Sequence, residues 1–174
     1  MTSSNWLVTA AVCTGLIACF TDLRTRRIPN VLTLGAAVIA VAARLLAGGW
    51  LAAAYGAGGW AVGLILLLPL FALKGLGGGD VKLLAAFGAW VGTGTVIWTG
   101  LYGTIAGGLL ALLLAVWHGS LSRTLANVSL LLTHWRVAGV GPVAGLTLED
   151  SKSVRLAYAI PLTVGLVVAL WTDK

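Results

Sequence analysis

The longest uncharged stretch constrains the fold of this chain most, because no Asp, Glu, Lys or Arg occurs across residues 83–122. One transmembrane helix needs about 20 apolar residues, so this stretch is long enough for two helices. The glycines and threonines of residues 92–95 form the best turn signal within it. The sequence therefore predicts a short span at about residues 81–91 and a longer one at about residues 96–117.

The composition of the whole chain is that of an integral membrane protein. Of its 174 residues, 59% are hydrophobic and 9% are charged, whereas soluble domains carry about 25% charged residues. The formal net charge of +6 does not indicate a nucleic-acid-binding protein, because the basic residues are scattered singly between apolar runs. Such a distribution is typical of topology signals in membrane proteins.

Four more apolar runs have the length of membrane spans, at about residues 5–21, 31–47, 58–73 and 154–171. Gly48 and Gly49 separate the second from the third, and Pro161 predicts a kink in the last. Between residues 121 and 136 apolar side chains recur at helical spacing, which predicts an amphipathic helix. The predicted fold is all-α. It is a single membrane domain (residues 1–174) with six transmembrane helices and one amphipathic helix on the cytoplasmic face.

The distribution of Lys and Arg predicts the orientation in the membrane. One side of the predicted topology carries Arg24, Arg26, Arg27, Lys74, Lys82, Arg123, Arg136, Lys152 and Arg155. The other side carries only Arg44, which is expected to snorkel outward, and Lys174. Because basic residues concentrate in cytoplasmic loops, the first set is expected to be cytoplasmic and both termini outside.

Two acidic residues are candidates for a catalytic pair. The chain has five Asp and Glu residues, and only Asp22 and Asp80 border long apolar segments. A charge at membrane depth costs roughly 2.5–3.5 kcal/mol, so such acids are functional candidates. The topology places both on the cytoplasmic side, where two neighbouring carboxyl groups would share one proton. The ionised member could accept a proton from water, and the protonated member could bind a substrate carbonyl and later protonate the leaving amine.

Other roles are possible for each acid. Asp80 could be the N-cap of the following helix, and Asp22 could be a solvated acid paired with Arg26. A transporter subunit could use the same two aspartates to bind a proton or cation, and an assembly protein would need neither. The glycines at positions 77–79, which lack Cβ atoms, would allow an extended substrate to approach Asp80 closely. Residues 74–79 are accordingly expected to line a wet pocket open to the cytoplasm.

Two motifs resemble those of a known enzyme family. They are Asp22-x5-Ile28-Pro29-Asn30-x-Leu32 and Gly77-Gly78-Gly79-Asp80-Val81-Lys82-Leu83-Leu84, and Tyr158-Ala159-Ile160-Pro161 follows later. Together they resemble the type IV prepilin peptidases, which are intramembrane aspartic proteases of the GxGD class. The resemblance implies that Asp22 and Asp80 are catalytic. It also implies that the substrate is a prepilin, whose basic leader is removed at the cytoplasmic face of a prokaryotic inner membrane.

The remaining motif residues receive less specific predictions. Gly77, Gly78 and Gly79 are assigned to substrate binding. Pro29 and Asn30 are expected to shape the loop after Asp22, and Asn30 is also a possible cap of the next helix. Lys82 matches the family motif, but a topology signal is its expected role.

The cysteines indicate which form of the family the chain resembles. Cys13 and Cys19 are the only two, both within the first apolar run, where apolar packing is expected. The long family members carry paired CxxC motifs and also methylate the new N-terminus. The present chain resembles the short, peptidase-only form of Flp-type, tight-adherence pilus systems. No methyl transfer, metal or cofactor is expected, and the expected partners are the prepilin and membrane lipid.

Overall fold

The computed structural model describes residues 5–141, 143 and 157–172, and this part of the chain is all-helical. Its helices are α1 (Asn5–Thr25), α2 (Asn30–Ala72), α3 (Gly78–Val91), α4 (Thr93–Trp117), α5 (Leu121–Ala138) and α6 (Ala159–Thr172). Helices α1, α2 and α4 are long and apolar enough to cross a membrane, and α6 is a shorter apolar helix. The all-α prediction is confirmed.

Helix α2 consists of two arms that fold back on each other at Gly49. Gly49 has φ 70° and ψ −164°, so the helix is broken where the sequence predicts a break. The first arm (residues 30–48) starts beside the beginning of α3, where Asn30 contacts Lys82, and Arg44 reaches the end of α3. The second arm (residues 50–72) runs the opposite way, because Gly59 contacts Gly88 and the later Gly63 contacts Leu84.

Helix α3 is the centre of the structure. Every residue from 83 to 90 is buried, and α3 packs against α1, α2, α4 and α6. A helix that is apolar on all sides is normally buried in this way. Two glycines permit the closest approach, since a Cβ added at Gly59 or Gly88 would overlap the backbone of the other helix. Glycine at both positions therefore lets the second arm of α2 pack directly on the α3 backbone.

Helices α1 and α6 run antiparallel, and their directions bring one end of each to the start of α3. Gly15, in the middle of α1, packs against Thr163 of α6 and Phe87 of α3. Further along α1, Asp22 reaches Ala159, the first residue of α6. The C-terminal end of α1 and the N-terminal ends of α3 and α6 consequently meet at one end of the bundle, which we call the carboxyl end.

The prediction that Pro161 kinks the last span is wrong. Helix α6 begins at Ala159, so Pro161 is its third residue. A proline within the first turn removes no helical hydrogen bond, because the N–H groups of that turn have no acceptor within the helix. Residues 154–156, where the sequence places the start of this span, lie outside the described residues.

Arg44 has partners that the prediction of an outward-directed side chain did not name. It binds the end of α3, where Nε donates to the carbonyl of Ala89 (3.0 Å) and Nη2 to that of Trp90 (2.6 Å). The guanidinium also lies over the ring of Tyr55, with 5.5 Å from Cζ to the ring centroid. A cation at a helix C-terminus satisfies carbonyls that have no partner within the helix and complements the helix dipole.

Helix α5 confirms the predicted helix over residues 121–136. None of its residues is buried, and α4 is the only described helix that it contacts. Leu125, Val128 and Leu132 are among its exposed apolar side chains. An amphipathic helix without a protein partner for its apolar residues has the character of a membrane-surface helix.

Candidate active site

Asp22 lies in the last turn of α1 and points into the bundle. Only 7% of its surface is exposed, and its Oδ2 accepts a hydrogen bond from the backbone N–H of Ala159 at 3.3 Å. Since Ala159 is the first residue of α6, the carboxyl group faces the positive end of that helix dipole. The alternative of a solvated acid at the end of a span is therefore wrong.

Asp80 is the third residue of α3 and caps the start of that helix. Its Oδ2 accepts the N–H of Gly77 (3.2 Å), and its own N–H donates to the carbonyl of Gly77 (3.1 Å). The N-cap residue is Gly77, whose φ of −76° and ψ of 146° are extended. Asp80 is thus not the N-cap, but its carboxylate performs the reciprocal half of a capping interaction. Helix capping and participation in a site are both compatible with this geometry.

The fold brings the two acids together although 57 residues lie between them in the chain. Both lie at the carboxyl end, Asp22 against the start of α6 and Asp80 at the start of α3, near enough for their carboxyl groups to interact electrostatically. Neighbouring carboxylates in a poorly solvated site repel each other. That Asp22 and Asp80 share one proton as an acid–base pair stays a prediction.

Each of the three glycines before Asp80 lies close to a different neighbour, which a side chain at that position would approach. A Cβ added at Gly77 would lie 3.1 Å from Asp80 Oδ2, and one added at Gly79 would lie 3.2 Å from Ile28 Cβ. Gly78 is the least restricted, since its added Cβ would lie 3.4 Å from the ring of Phe71. Gly78 and Gly79 belong to the first turn of α3, which shortens the predicted loop. A role of the glycines in substrate binding stays a prediction.

The two sequence motifs are joined by a hydrogen bond. Lys82 Nζ donates to Asn30 Oδ1 at 2.9 Å, so Lys82 has a specific partner in addition to any topology role. Asn30 does not cap α2 as predicted. The N-cap is Pro29, whose carbonyl accepts the N–H groups of Leu32 (3.1 Å) and Thr33 (3.3 Å). Pro29 therefore shapes the connection after Asp22, and Asn30 ties that connection to α3.

Sequence reasoning missed the contribution of the segment at the start of α6. The backbone N–H of Ala159 binds Asp22, and Tyr158 directly precedes it in the chain. One turn before Asp22, the Cys19 thiol donates to Thr163 Oγ1 at 3.3 Å, which further joins α1 to α6. The motif Tyr158-Ala159-Ile160-Pro161 was the available signal, but the residues alone give no indication of which side chain reaches which acid.

A cavity of about 560 Å³ lies at the opposite end of the bundle from the two acids. It is lined by residues from the start of α1, the end of α3 and the end of α6, among them Asn5, Trp90 and Trp171. The predicted wet pocket at residues 74–79 is a different feature and stays a prediction. Within the described ranges, no three His, Cys, Asp or Glu side chains are grouped as metal ligands.

Comparison with known proteins identifies the family. The sequence profile of the type IV leader peptidase family matches residues 9–112, more than half of the chain's 174 residues. This match contains both Asp22 and Asp80 and extends from α1 into α4. Searches of curated proteins and of solved structures each returned no match. Three of its helices are apolar and long enough to span a membrane, as expected of a membrane peptidase. By the profile match, the chain belongs to the type IV leader peptidase family, a family of membrane peptidases.

Proposed function

We propose that this peptidase is an aspartic endopeptidase in which Asp22 and Asp80 together activate water. The observation that carries the proposal is the meeting of these two carboxyl groups at the carboxyl end, one at the start of α6 and the other at the start of α3. Each lies at a helix N-terminus, where a negative charge is stabilised. A proton shared between the two carboxyl groups would leave the pair with a single negative charge.

The proposed hydrolysis uses one proton on the pair. The protonated carboxyl group hydrogen-bonds the oxygen of the scissile carbonyl while the ionised one takes a proton from water. The water oxygen bonds to the carbonyl carbon, and the π electrons move onto the carbonyl oxygen. The amine nitrogen then takes the proton of the first carboxyl group as the C–N bond breaks and the C=O bond re-forms. The pair keeps the proton that came from water, so it again holds one proton.

The proposed substrate is a type IV prepilin or a prepilin-like protein. Its basic leader would be removed at the cytoplasmic face, just before the hydrophobic segment that becomes the pilin helix. The family assignment supports the substrate class, and the basic residues near the carboxyl end support the side of the membrane. Arg24, Arg26 and Arg27 all follow Asp22 directly and are exposed.

The proposed topology has six spans, with both termini outside. They are α1, the two arms of α2, α3, α4 and α6, while α5 lies on the cytoplasmic surface. The antiparallel packing of the two arms on α3 supports counting α2 twice. Helix α3 has 14 residues and is about 21 Å long at ~1.5 Å per residue, shorter than a hydrocarbon core of ~30 Å. Asp80 would thus lie below the membrane surface, where water reaches it through the loop at residues 73–77.

Proton or cation transport is the second candidate function. A transport site is expected near the midplane, accessible in turn from both sides. Both acids lie at one end of the bundle, which favours the peptidase.

The test is co-expression with a candidate prepilin that has a basic leader, a glycine and a long apolar helix, followed by mass spectrometry of the pilin. We expect loss of the leader and a free, unmethylated N-terminus, as in the short, peptidase-only form of Flp-type systems. A methyl group on the mature terminus, in a host without another such enzyme, would contradict the peptidase-only form. An intact leader on every prepilin tested would contradict the proposed function.

A further inference from the structure

One face of α1 and one face of α6 lie against each other beside Asp22. Gly15, Cys19 and Asp22 are spaced four and three residues apart, so they share a side of α1. On α6, Ala159 and Thr163 share a side for the same reason. Thr163 contacts Gly15 and Cys19, and Ala159 contacts Asp22. Thr163 therefore lies one helical turn from the residue that binds the acid.

The hydroxyl group of Thr163 takes part in two hydrogen bonds. Its O–H donates to the backbone carbonyl of Ala159 at 2.7 Å, and its oxygen accepts the thiol of Cys19 at 3.3 Å. Thr163 is buried, so water cannot readily replace either partner. Ala159 in turn donates its own N–H to Asp22 Oδ2 at 3.3 Å. Three hydrogen bonds thus connect α1, through the first turn of α6, to the carboxyl group.

Gly15 makes room for the side chain of Thr163. A Cβ added at Gly15 would lie 2.7 Å from Thr163 Cγ2 and 2.9 Å from Oγ1. Both branches of the threonine side chain consequently rest on the backbone of α1. A β-branched side chain in a helix has few allowed rotamers, and one of those open to threonine directs Oγ1 at the carbonyl one turn earlier. Packing on Gly15 and the hydrogen bond to Ala159 therefore favour one position of the hydroxyl group.

We propose that Thr163 is a positioning residue that acts through Ala159 to fix the carboxyl group of Asp22. This inference rests on the proposed aspartic mechanism. Ala159 begins α6, and the first turn of a helix frays most easily because its N–H groups have no acceptor within the helix. The Thr163 hydroxyl ties that turn to the next one and, through Cys19, to α1. Without it, the N–H of Ala159 is free to move away from Asp22.

The expected consequence is a loss of rate and not of substrate binding. Asp22 must be oriented toward the water and the scissile carbonyl during the reaction, and a misplacement of about 1 Å can cost 10²-fold in rate. Thr163 itself gives up no proton and forms no bond to the substrate. Its removal should therefore lower kcat and leave KM nearly unchanged, because the substrate contacts made elsewhere are retained.

The first experiment separates the hydroxyl group of Thr163 from its methyl group. Thr163→Val keeps the branched shape against Gly15 and removes both hydrogen bonds, and we expect kcat for a purified prepilin to fall about 10-fold with KM within about twofold. Thr163→Ser keeps the hydroxyl and loses the methyl, and it should recover most of that rate. A wild-type kcat for Thr163→Val, or a greater loss for Thr163→Ser, would overturn the inference.

Thr99 of α4 provides the matched control. It is also buried, its hydroxyl donates to the carbonyl of Thr95 at 2.8 Å, and its own carbonyl lies against Gly165 of α6. Thr99→Val therefore removes the same kind of hydrogen bond from another helix that packs on α6, without touching Ala159. We expect it to cleave at the wild-type rate. A loss equal to that of Thr163→Val would show a general packing effect and would overturn the inference.

The second experiment removes the thiol that holds the Thr163 hydroxyl. Cys19→Ala should lower kcat about two- to threefold, whereas Cys13→Ala, at an exposed position of the same helix, should not. In the Thr163→Val background, Cys19→Ala should add no further loss, because its acceptor is already gone. Fully multiplicative losses would overturn the connection. If Thr163→Val does not fold, a wild-type kcat for Cys19→Ala overturns the inference by itself.

Hydrogen exchange tests the connection without any substrate. The backbone amide of Ala159 should exchange at least about fivefold faster in Thr163→Val than in the wild type, and Thr99→Val should match the wild type. An unchanged exchange rate in folded Thr163→Val would overturn the inference whatever the enzyme cleaves.

These results distinguish this inference from the function on which it rests. A wild-type enzyme that cleaves the prepilin, together with an equally active Thr163→Val variant, overturns the role of Thr163 alone. A wild-type enzyme that leaves every prepilin intact overturns the proposed function and this inference with it.

Discussion

The two ends of α3 are surrounded by opposite arrangements of charge. At its start, the carboxyl group of Asp80 lies close to that of Asp22, and each accepts a backbone N–H. At its end, the guanidinium of Arg44 donates to the last carbonyls of the helix. A cation on helix carbonyls stabilises the fold, whereas two neighbouring carboxyl groups would repel each other if both were ionised. Together with the proposed mechanism, the comparison assigns stability and activity to different ends of one helix.

Removal of either acid is the largest expected effect on activity. Asp22→Asn and Asp80→Asn should each lower leader removal by at least about 10³-fold, because a pair that shares a proton fails when one member is lost. The unfolding temperature should change little, because asparagine has nearly the shape of aspartate and its side-chain oxygen can still accept the N–H groups of Ala159 and Gly77. The measurements are mass spectrometry of the pilin and thermal unfolding of the purified variants. Asp173→Asn, outside the family match, is the control, and near-normal cleavage by either test variant would refute the aspartic mechanism.

Loss of the cation at the opposite end should affect stability and spare activity. Arg44→Met removes two charged hydrogen bonds to the end of α3, which are worth about 2 kcal/mol together with the dipole interaction. For a chain of this size the unfolding midpoint should fall by about 4–8 °C. At low temperature kcat should remain within about threefold of wild type. A large loss of kcat in folded protein would mean that the two ends are not separable as described.

The hydrogen bond between the two motifs should have a smaller effect on cleavage. Asn30→Ala and Lys82→Met each remove one partner of the 2.9 Å contact, and each should slow cleavage about fivefold, or ~1 kcal/mol. The double variant should be no slower than either single one, because both remove the same interaction. Independent, multiplicative losses would assign Lys82 to the topology signal alone. Lys74→Met, outside both motifs, provides the comparison for loss of a positive charge.

Labelling can test access to the carboxyl end without a large change in the protein. In a Cys13→Ser, Cys19→Ser background, Gly78→Cys should react with a membrane-impermeant thiol reagent from the cytoplasmic side only. Gly78 suits this because its added Cβ has only an ordinary contact with Phe71. Bound uncleaved prepilin should slow the reaction. Reaction from the outside, or no protection by substrate, would contradict the predicted pocket at residues 74–79 and favour transport.

The features that sequence predicted are those that depend on local composition. The break at Gly49, the short helix over residues 81–91 and the amphipathic helix over residues 121–136 follow from glycine, run length and periodicity, and the structure confirms them as helical features. The location of Asp22 and Asp80 at one end of the bundle was also predictable, because the alternation of predicted spans brings their two segments to the same side. Their action as a pair stays a prediction.

The features that sequence missed depend on partners from distant segments. In the sequence, Arg44 is a basic residue at the end of an apolar run with no indication of its partner. The hydrogen bonds to α3 become visible only in the structure, where the arm that carries Arg44 packs along α3. Likewise, the sequence does not indicate that Lys82 and Asn30 form a hydrogen bond, because it depends on how α3 packs against α2. The motif that contains Tyr158 is visible in the sequence, but the position of its side chain is not, because the ring packs on Gly107 of another helix. Such contacts form only in the packed bundle, and no local pattern records them.

The fold-back of α2 at Gly49 has a consequence for biogenesis. The two arms are synthesised immediately before α3, and between them they contact it from its first residues to its last carbonyls. Helix α3 is short and carries an acid in its first turn, so by itself it would insert poorly into a membrane. In the proposed six-span topology, the two arms of α2 would already be in the bilayer and would offer it a surface with Gly59 and Gly63 and the guanidinium of Arg44. The order of synthesis would thus supply the neighbouring helices that a short, acid-containing helix needs to enter the membrane.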